Sequence, residues 1–427
     1  MTASTVDAAP VVVDEPVRYW TRQRKVGVGL AAVGLVAAVL FGALAKAQKA
    51  EFTLAETISG SAIGINGTVG AILFGAIAAL AGGAMLVTTR RAFNWLLALG
   101  IVAALISFLC WQLSQAPNNL NTIALGSVAR SSVTLALPLV LGALAGVLCE
   151  RSAVINVAIE GQFLMGAFAA AMFATLAGSV WVGILAAGVG GLIIGLLLAV
   201  LAIRFLVDQV VLGVVLNVFA LGLTGFLYEQ LMAKDQTRFN QPTFVPEWDI
   251  PGLSKIPLLG PALFKGNIFL YGAIVLVIVI HVGLFYTRWG LRTRAVGEHP
   301  AAADTLGVKV LALRYRNVLI GGVVAGFGGA YFTLLSTTNF NKNMTSGLGF
   351  VALAALIFGR WSPIGSMLAA LFFGFCSALA VSLGSINSPI PSQFLNMLPY
   401  IATIVAVAGL VGRVRAPAAD GTPYIKG

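Results

Sequence analysis

Three polar side chains interrupt an apolar stretch of the sequence near residue 160. Asn156 and Glu160 are four residues apart, so they share one face if the stretch is helical, and Gln162 follows them. Such groups are costly inside a membrane and occur there where a solute or ion passes. They are therefore candidates for a solute path. The alternative for Glu160 is structural, because a carboxylate in a first turn stabilises a helix start.

A second polar set follows further along the chain. Asn217, Thr224 and Tyr228 are spaced by seven and four residues, which places them on one stripe of a helix. Their amide and hydroxyl groups donate and accept hydrogen bonds without fixed charge, which suits a neutral polyhydroxyl or nucleobase-bearing solute. The stripe either lines a path or joins neighbouring helices through hydrogen bonds.

Reactive side chains in the spacing of an enzyme are missing from the sequence. No Gly-Lys dipeptide occurs, so the chain lacks the phosphate-binding loop that contains one. Two histidines are too few for a zinc site, and no serine lies in a G-x-S-x-G motif. The sequence predicts a chain without catalytic residues, cofactor or metal.

The composition is that of a membrane protein. Of 427 residues, 59% are hydrophobic and 10% are charged, and the mean hydropathy is +0.96. A soluble domain cannot bury so much apolar surface, whereas a bilayer requires about 20 apolar residues for each helical crossing. We expect an all-α fold, a polytopic bundle of transmembrane helices with short or discontinuous helices in its core.

Twelve apolar runs are candidate crossings. The run at 347–359 has about 13 residues, too few for a helix to cross a core of about 30 Å, so it predicts a half-helix or a re-entrant segment. Its start, Gly347 to Phe350, is similar to Gly161 to Phe163, an echo typical of repeats in transporters. The crossings are predicted at roughly 26–45, 66–88, 94–114, 129–149, 157–177, 181–203, 209–231, 267–287, 317–336, 347–359, 363–383 and 395–412.

The basic residues indicate an orientation. With both termini in the cytoplasm, cytoplasmic segments hold 18 of the 26 Lys and Arg residues, as the positive-inside rule requires. This bias, with contacts to anionic lipid, accounts for the net charge of +11 without nucleic acid. We therefore predict a multi-pass membrane protein with both termini in the cytoplasm.

The crossings and loops divide the chain into segments. The outer loop at 233–266 contains five prolines and predicts an irregular cap rather than a helix. The cytoplasmic loop at 288–316 is basic at both ends, and we call it the coupling segment. The predicted order is a cytoplasmic tail at 1–25, a transmembrane extension at 26–124, a core at 125–412 that includes both loops, and a second tail at 413–427.

The coupling segment contains a short predicted helix. Pro300 suits the first position of a helix and Gly307 suits the residue after its last turn, which brackets Ala301 to Leu306. A helix of under two turns is unstable alone in water and must lie against something. It is either a connector on the bilayer surface, where Arg314 and other arginines meet lipid phosphates, or a helix that binds in the groove of a cytoplasmic partner.

Two motifs resemble a known family. Glu150 to Gly161 reads ERSAVINVAIEG and is similar to the E-R-S-G-V-x-N-x-G-x-E-G run of nucleoside-type ABC importer permeases, with Ala153 and Ala158 in place of two glycines. The run GEHPAAA with Leu-Gly-Val after it resembles the segment of these permeases that contacts the ATPase. That role then passes to Gly297, Glu298, His299, Pro300, Ala301, Ala302, Asp304 and Gly307.

The resemblance covers residues from about 125 to 412 and implies a permease subunit for a nucleoside or related small polar solute. It implies a separate cytoplasmic ATPase subunit, an extracytoplasmic substrate-binding lipoprotein and a second permease chain, identical or homologous. A simple-sugar permease and an ion-coupled secondary transporter are the alternatives, and a membrane scaffold is a third. Ion coupling favours carboxylates at the membrane midplane, whereas Glu150, Glu160, Asp208 and Glu229 fall near predicted helix ends.

Overall fold

The computed structural model of the protein describes residues 21–58, 62–88, 90–117, 120–386, 390–397, 400–401 and 415–426. Among these residues, ten helices are long and apolar enough to cross a membrane, and each coincides with a predicted crossing. The short run predicted at 347–359 is a helix of 11 residues, as its length required. The twelfth, at 395–412, lies mostly outside the described residues, as does most of the predicted tail at 1–25. The all-α transmembrane fold is confirmed.

The chain forms two compact units. The first contains the described residues of Met1–Ala50 and of Ile65–Gln115. Its helices approach closely through small residues, since a Cβ on Gly75 would lie 2.4 Å from the amide nitrogen of Ala38. These helices are α1 (Arg22–Val36), which continues through a π-helical turn (Ala37–Phe41) into α2 (Gly42–Leu44), then α3 (Gly67–Val87) and α4 (Arg90–Gln115).

The second unit contains the described residues of Glu51–Gly64 and of Ala116–Gly427. Its helices are α5 (Leu125–Glu150), α6 (Ile159–Ala177), α7 (Val180–Ala199), α8 (Gln209–Leu227), α9 (Gln236–Phe239), α10 (Ile268–Tyr286), α11 (Arg288–Glu298), α12 (Pro300–Thr305), α13 (Val310–Tyr331), α14 (Leu348–Phe358), α15 (Pro363–Ser385) and α16 (Ser392–Asn396). Terminal π-helical turns extend α7 (Val200–Arg204), α8 (Tyr228–Met232) and α13 (Phe332–Ser336).

Helix α5 lies at the centre of the second unit. It is buried along most of its length and packs against α10, α13, α14 and α15. Glycines let α13 pack closely against α7, because a Cβ on Gly326 would lie 2.1 Å from the carbonyl oxygen of Ala187. Such contacts between small residues replace the hydrophobic effect as the source of helix association in lipid.

Short strands complete the fold. They are β1 (Lys49–Thr53), β2 (Ala62–Asn66), β3 (Thr122–Ala124), β4 (Trp248–Asp249) and β5 (Lys265–Gly266). Within the second unit, Glu51 to Thr53 of β1 pairs in parallel with β3, and β4 pairs with β5 in antiparallel fashion. The predicted irregular loop at 233–266 contains β4, β5, α9, a 3-10 turn (Leu253–Lys255) and a π-helical turn (Gly260–Phe264), so it is more ordered than its prolines indicated.

The two ends of the second unit differ in charge. At one end α5, α10 and α14 finish and α8, α13 and α15 start, and we call it the basic end because Arg151, Arg288, Arg294, Arg314 and Arg360 lie there. At the opposite end, Glu56 forms ion pairs with Arg130 and Lys265, and Arg130 also pairs with Glu247. These contacts lower the pKa of the Glu56 carboxyl, chiefly through its hydrogen bond with Lys265.

Candidate functional site

Helices α6 and α14 start inside the second unit rather than at its ends. A Cβ on Gly142 would lie 3.1 Å from the side chain of Ile159, the first residue of α6, and 2.8 Å from that of Ala352 in α14. Gly142 precedes Glu150, at the basic end, by eight residues of α5, which corresponds to about 12 Å. Residues 151–158 therefore enter the unit without helical structure before α6 begins, and α14 is a half-helix.

The side chain of Glu160 caps α14. Its Oε1 accepts hydrogen bonds from Gly347 N at 2.8 Å and from the Thr345 hydroxyl, and its Oε2 accepts one from Gly349 N at 2.7 Å. Unpaired N–H groups and the helix dipole both favour a carboxylate at this position. Glu160 thus stabilises a helix start, as the structural alternative proposed. The N–H groups that it caps are those of α14 rather than those of its own helix, α6.

An asparagine from α8 holds the start of α6 in a similar way. Asn217 Oδ1 accepts a hydrogen bond from Gly161 N at 2.8 Å, and Asn217 Nδ2 donates one to the Val157 carbonyl at 2.9 Å. Beside it, Asn156 Nδ2 donates to Gln162 Oε1 at 3.1 Å. We call this cluster the junction, which consists of Asn156, Val157, Glu160, Gly161, Gln162, Asn217, Thr345, Gly347 and Gly349.

The junction contains four of the six residues predicted to line a solute path. Asn156, Glu160, Gln162 and Asn217 meet there, and their side chains are buried. Thr224 is buried further along α8 and donates to the Ala220 carbonyl of its own helix at 2.7 Å. Tyr228 lies towards the opposite end, where the Lys342 ammonium is 5.8 Å from its ring. Their contact with a solute stays a prediction.

The coupling segment forms two helices at the basic end. The short helix α12 runs from Pro300 to Thr305, one residue earlier than predicted, with Pro300 in its first turn and Gly307 in the left-handed region at a φ of +81°. Ala303 is buried against Val296 and Val310, which supplies the support that so short a helix requires. The other face carries Ala301, Ala302 and Leu306, and Leu306 is 84% exposed.

The preceding helix, α11, was not predicted. Thr287 caps it by accepting a hydrogen bond from Gly290 N at 3.2 Å, and the buried side chain of Thr293 accepts one from Asn317 Nδ2. A capping threonine followed by buried residues at 290, 293 and 297 is the signal that could have revealed it. Of the predicted coupling residues, Gly297 and Glu298 therefore end α11, and His299 joins the two helices.

The turn after α14 contacts the end of α5. Glu150 Oε2 accepts a hydrogen bond from Trp361 Nε1 at 2.5 Å, and Arg151 Nε donates one to the Trp361 carbonyl at 2.8 Å. Both side chains therefore reach this turn. The turn therefore links two stretches that contribute to the junction, because it joins the end of α14 to the start of residues 151–158.

Residues 415–426, which we call the tail segment, pack on the basic end. Ala419 N donates to the Gly297 carbonyl at 2.9 Å, and Arg314 Nη1 donates to the Thr422 carbonyl at 3.1 Å. Arg314 is only 2% exposed, so the expectation that it meets lipid phosphates is wrong. The error arose because its partner is more than 100 residues away in the sequence.

A family comparison agrees with this architecture. The model of the branched-chain amino acid transport system permease component matches residues 128–408. The guanosine ABC transporter permease protein NupQ of Bacillus subtilis is 42% identical over 71% of this chain and 98% of its own length. The nucleoside ABC transporter permease protein NupC of Lactococcus lactis is 39% identical over 72% and 99%.

A more distant relative from the first organism also matches. The guanosine ABC transporter permease protein NupP of Bacillus subtilis is 25% identical over 66% of this chain and 83% of its own length. No solved structure matches the chain. The family match and the extent of the two stronger relatives show that the chain belongs to the ABC transporter permease family of the branched-chain amino acid type.

Proposed function

We propose that this chain forms the membrane path of an ABC importer for nucleosides. The observation that carries the proposal is the identity of 42% and 39% to guanosine and nucleoside permeases over almost their full lengths. The ATP that drives import is hydrolysed by a separate subunit, in keeping with the absence of a Gly-Lys dipeptide from this sequence.

The basic end faces the cytoplasm in this proposal. The excess of Lys and Arg in the segments assigned to that side supports the orientation, as does the exposed face of α12. Ala301 and Ala302 permit close approach, and Leu306 offers an apolar side chain for a pocket on the ATPase. The predicted coupling residues act by presenting this face.

The junction supports a neutral solute. In transporters with discontinuous helices, the positive end of a half-helix can bind an anionic substrate group. Here the start of α14 is already occupied by the Glu160 carboxylate, which accepts bonds from Gly347 N and Gly349 N. A zwitterionic amino acid would find this end filled, whereas a nucleoside or a sugar does not require it.

Two further partners complete the importer. An extracytoplasmic binding lipoprotein delivers the solute to the opposite end, and a second permease chain completes the path. Guanosine permeases NupP and NupQ both come from Bacillus subtilis and both match this chain, which supports a homologous partner rather than an identical one.

Reconstitution tests the proposal. The chain would be purified with a cognate ATPase subunit and a partner permease, and placed in vesicles with the binding protein and internal ATP. We expect uptake of radioactive guanosine, with little uptake of glucose or leucine, and none without ATP. Uptake driven by a proton or sodium gradient alone would contradict the proposal, and preferential glucose uptake would shift the substrate to a sugar.

A further inference from the structure

We propose that the tail segment is a strut that positions the coupling segment against the chain leading into the junction. This proposal rests on the proposed function, because it assigns a route by which movement at α12 reaches α6 and α14. The tail segment has contacts on three sides, with α11 and α12, with α13, and with residues 150–155.

The first contacts join the tail segment to the coupling helices. Ala419 N donates to the Gly297 carbonyl, and Ala418 N donates to Glu298 Oε2 at 3.2 Å. Tyr424 packs against the small apolar cluster formed by Val296, Ala303 and Val310. The buried side of α12 therefore rests on the same cluster as the tail segment.

The second contacts explain why the tail segment is held in place. Arg314 of α13 is buried, and a buried guanidinium is costly unless it is paired and hydrogen-bonded. The tail segment supplies a carbonyl oxygen from Thr422, the ring of Tyr424 at 6.0 Å and the nearby carboxyl group of Asp420. Removal of the tail segment would leave Arg314 without these partners.

The third contacts lead to the junction. A Cβ on Gly421 would lie 2.7 Å from Ile155 Cδ1, so the tail segment rests directly on the chain between α5 and α6. Ile155 N in turn donates to Gln209 Oε1 at 2.7 Å, and the next residue, Asn156, belongs to the junction. The coupling segment also touches this chain, since a Cβ on Gly297 would lie 2.4 Å from the Arg151 carbonyl oxygen.

The tail segment, the coupling segment and residues 151–156 therefore each contact the other two. Because α12 has only six residues and an exposed outer face, force applied to it by a partner would otherwise tilt it on its own support. With the tail segment in place, α12 and residues 151–156 move together, which carries the displacement to the helix starts in the junction.

Truncation tests the strut. A chain that ends at Arg415 would be compared with the full chain, and with a control that lacks only residues 425–427, of which Ile425 is 73% exposed. We expect the Arg415 truncation to retain the ATPase during purification and to hydrolyse ATP, but to import at least fivefold less guanosine per ATP. The control should keep the full ratio. An unchanged ratio in the truncation, or loss of the ATPase, would overturn the proposal.

A second measurement does not depend on the solute. Hydrogen–deuterium exchange of peptides that cover residues 150–162 should rise at least tenfold in the truncation. Without the tail segment resting on Ile155, this chain separates more often from α8, where Gln209 and Asn217 accept the hydrogen bonds of Ile155 N and Gly161 N. Peptides around Glu56 and Lys265, at the opposite end, should be unchanged. Equal exchange at 150–162 in both chains would contradict the strut even if the importer carried another solute, whereas failure of guanosine uptake by the full chain contradicts only the proposed function.

A cross-link distinguishes a strut from a lid that must leave. Glu298→Cys and Ala418→Cys place two thiols beside a hydrogen bond that already joins these residues, and the three native cysteines are buried. Treatment with a short bis-maleimide should leave guanosine import per ATP within twofold of the untreated variant. Loss of import on cross-linking, restored by a longer reagent, would show that the tail segment must detach, and would overturn the strut.

Discussion

The junction and the coupling segment are both built around short helices, but they satisfy their polar and apolar groups differently. At the junction, Glu160 and Asn217 match the N–H groups at the starts of α14 and α6, and these side chains are buried. On α12, one face is buried and the other exposes Leu306. The junction satisfies its polar groups within its own chain, whereas the outer face of α12 leaves Leu306 free for the contact with the ATPase that we propose.

The largest effect should come from breaking the junction. Glu160→Gln keeps the shape of the side chain, but it replaces one carboxylate oxygen with an NH₂ group. That group cannot accept a hydrogen bond from the N–H and O–H donors around it. We expect the free energy of unfolding to fall by about 3 kcal/mol, as is usual when a buried charged hydrogen-bond acceptor is lost. In detergent the Tm should fall by roughly 5–10 °C, and guanosine uptake should fall with it.

Glu229→Gln is the matched control for that variant. Glu229 also pairs with a residue after α13, Lys342, but its carboxylate is exposed near the opposite end. Exposed pairs contribute little to stability, so the Tm should scarcely change. Equal losses in the two variants would mean that the caps of α6 and α14 are no more important than a surface contact.

The second effect concerns the tail segment and is a dependence on pH. Burial raises the pKa of Asp420 to about 7, from 3.8 for the free group. Asp420 faces Glu150 from α5 and Arg314 from α13. At pH values between about 4 and about 7, Asp420 is protonated in the docked tail segment and ionised in a detached one. The docking equilibrium therefore weakens as the pH rises through this range, by at most tenfold per pH unit, and it levels off above about pH 7.

A fluorophore attached at Ile425→Cys would report this release. The tail segment should be more mobile at pH 7.5 than at pH 5.5, and Asp420→Asn should remove the difference by keeping the group neutral throughout. Release that grows as pH falls would contradict the assignment. A change that persists in Asp420→Asn would place the titrating group elsewhere.

The third effect tests the exposed face of α12. Leu306→Ser should weaken binding of the ATPase about tenfold, the loss expected for one apolar anchor in a pocket. The Tm of the isolated chain should not fall, because Leu306 has few contacts within it. Phe244→Ser, on an exposed side chain outside the basic end, is the control and should leave ATPase binding unchanged. If both variants bind equally well, the ATPase does not use this face.

Features encoded in local sequence could be predicted. Apolar runs of about 20 residues located ten crossings, the shortness of 347–359 predicted the half-helix α14, and Pro300 with Gly307 located α12. The similar sequences at Gly161 and Gly347 both open helices that meet at the junction, although the internal repeat itself stays a prediction.

Features that depend on distant pairing could not. Glu160 caps α14, and Thr345, which precedes that helix and donates to Glu160, is 185 residues away in the sequence. No local pattern distinguishes this role from a cap on the helix that contains Glu160. Arg314 carried the ordinary signature of an interfacial arginine until the tail segment, 108 residues later, was seen to cover it. Burial of an ionisable group is a property of the packed chain, not of its neighbours in sequence.

The smallest effect lies between the two regions, at Ala153. Ala153 is buried and has a φ of +64°, a conformation that favours glycine, and Ala158 has an ordinary φ of −78°. Both stand where the resembling family run has glycine. Ala153→Gly relieves about 1–2 kcal/mol of strain but costs about 0.5–1 kcal/mol in chain entropy, so it should be neutral or slightly stabilising.

Ala158→Gly gains no such relief and should destabilise the chain by about 1 kcal/mol. The changes in the free energy of unfolding should therefore have opposite signs in the two glycine variants, or that of Ala153→Gly should be near zero. The two positions lie only five residues apart in the same connection. Chemical or thermal unfolding in one detergent measures that difference directly. Equal losses would mean that the turn at Ala153 is unstrained, and that the connection from the coupling segment to the junction is held by its side-chain contacts rather than by its backbone conformation.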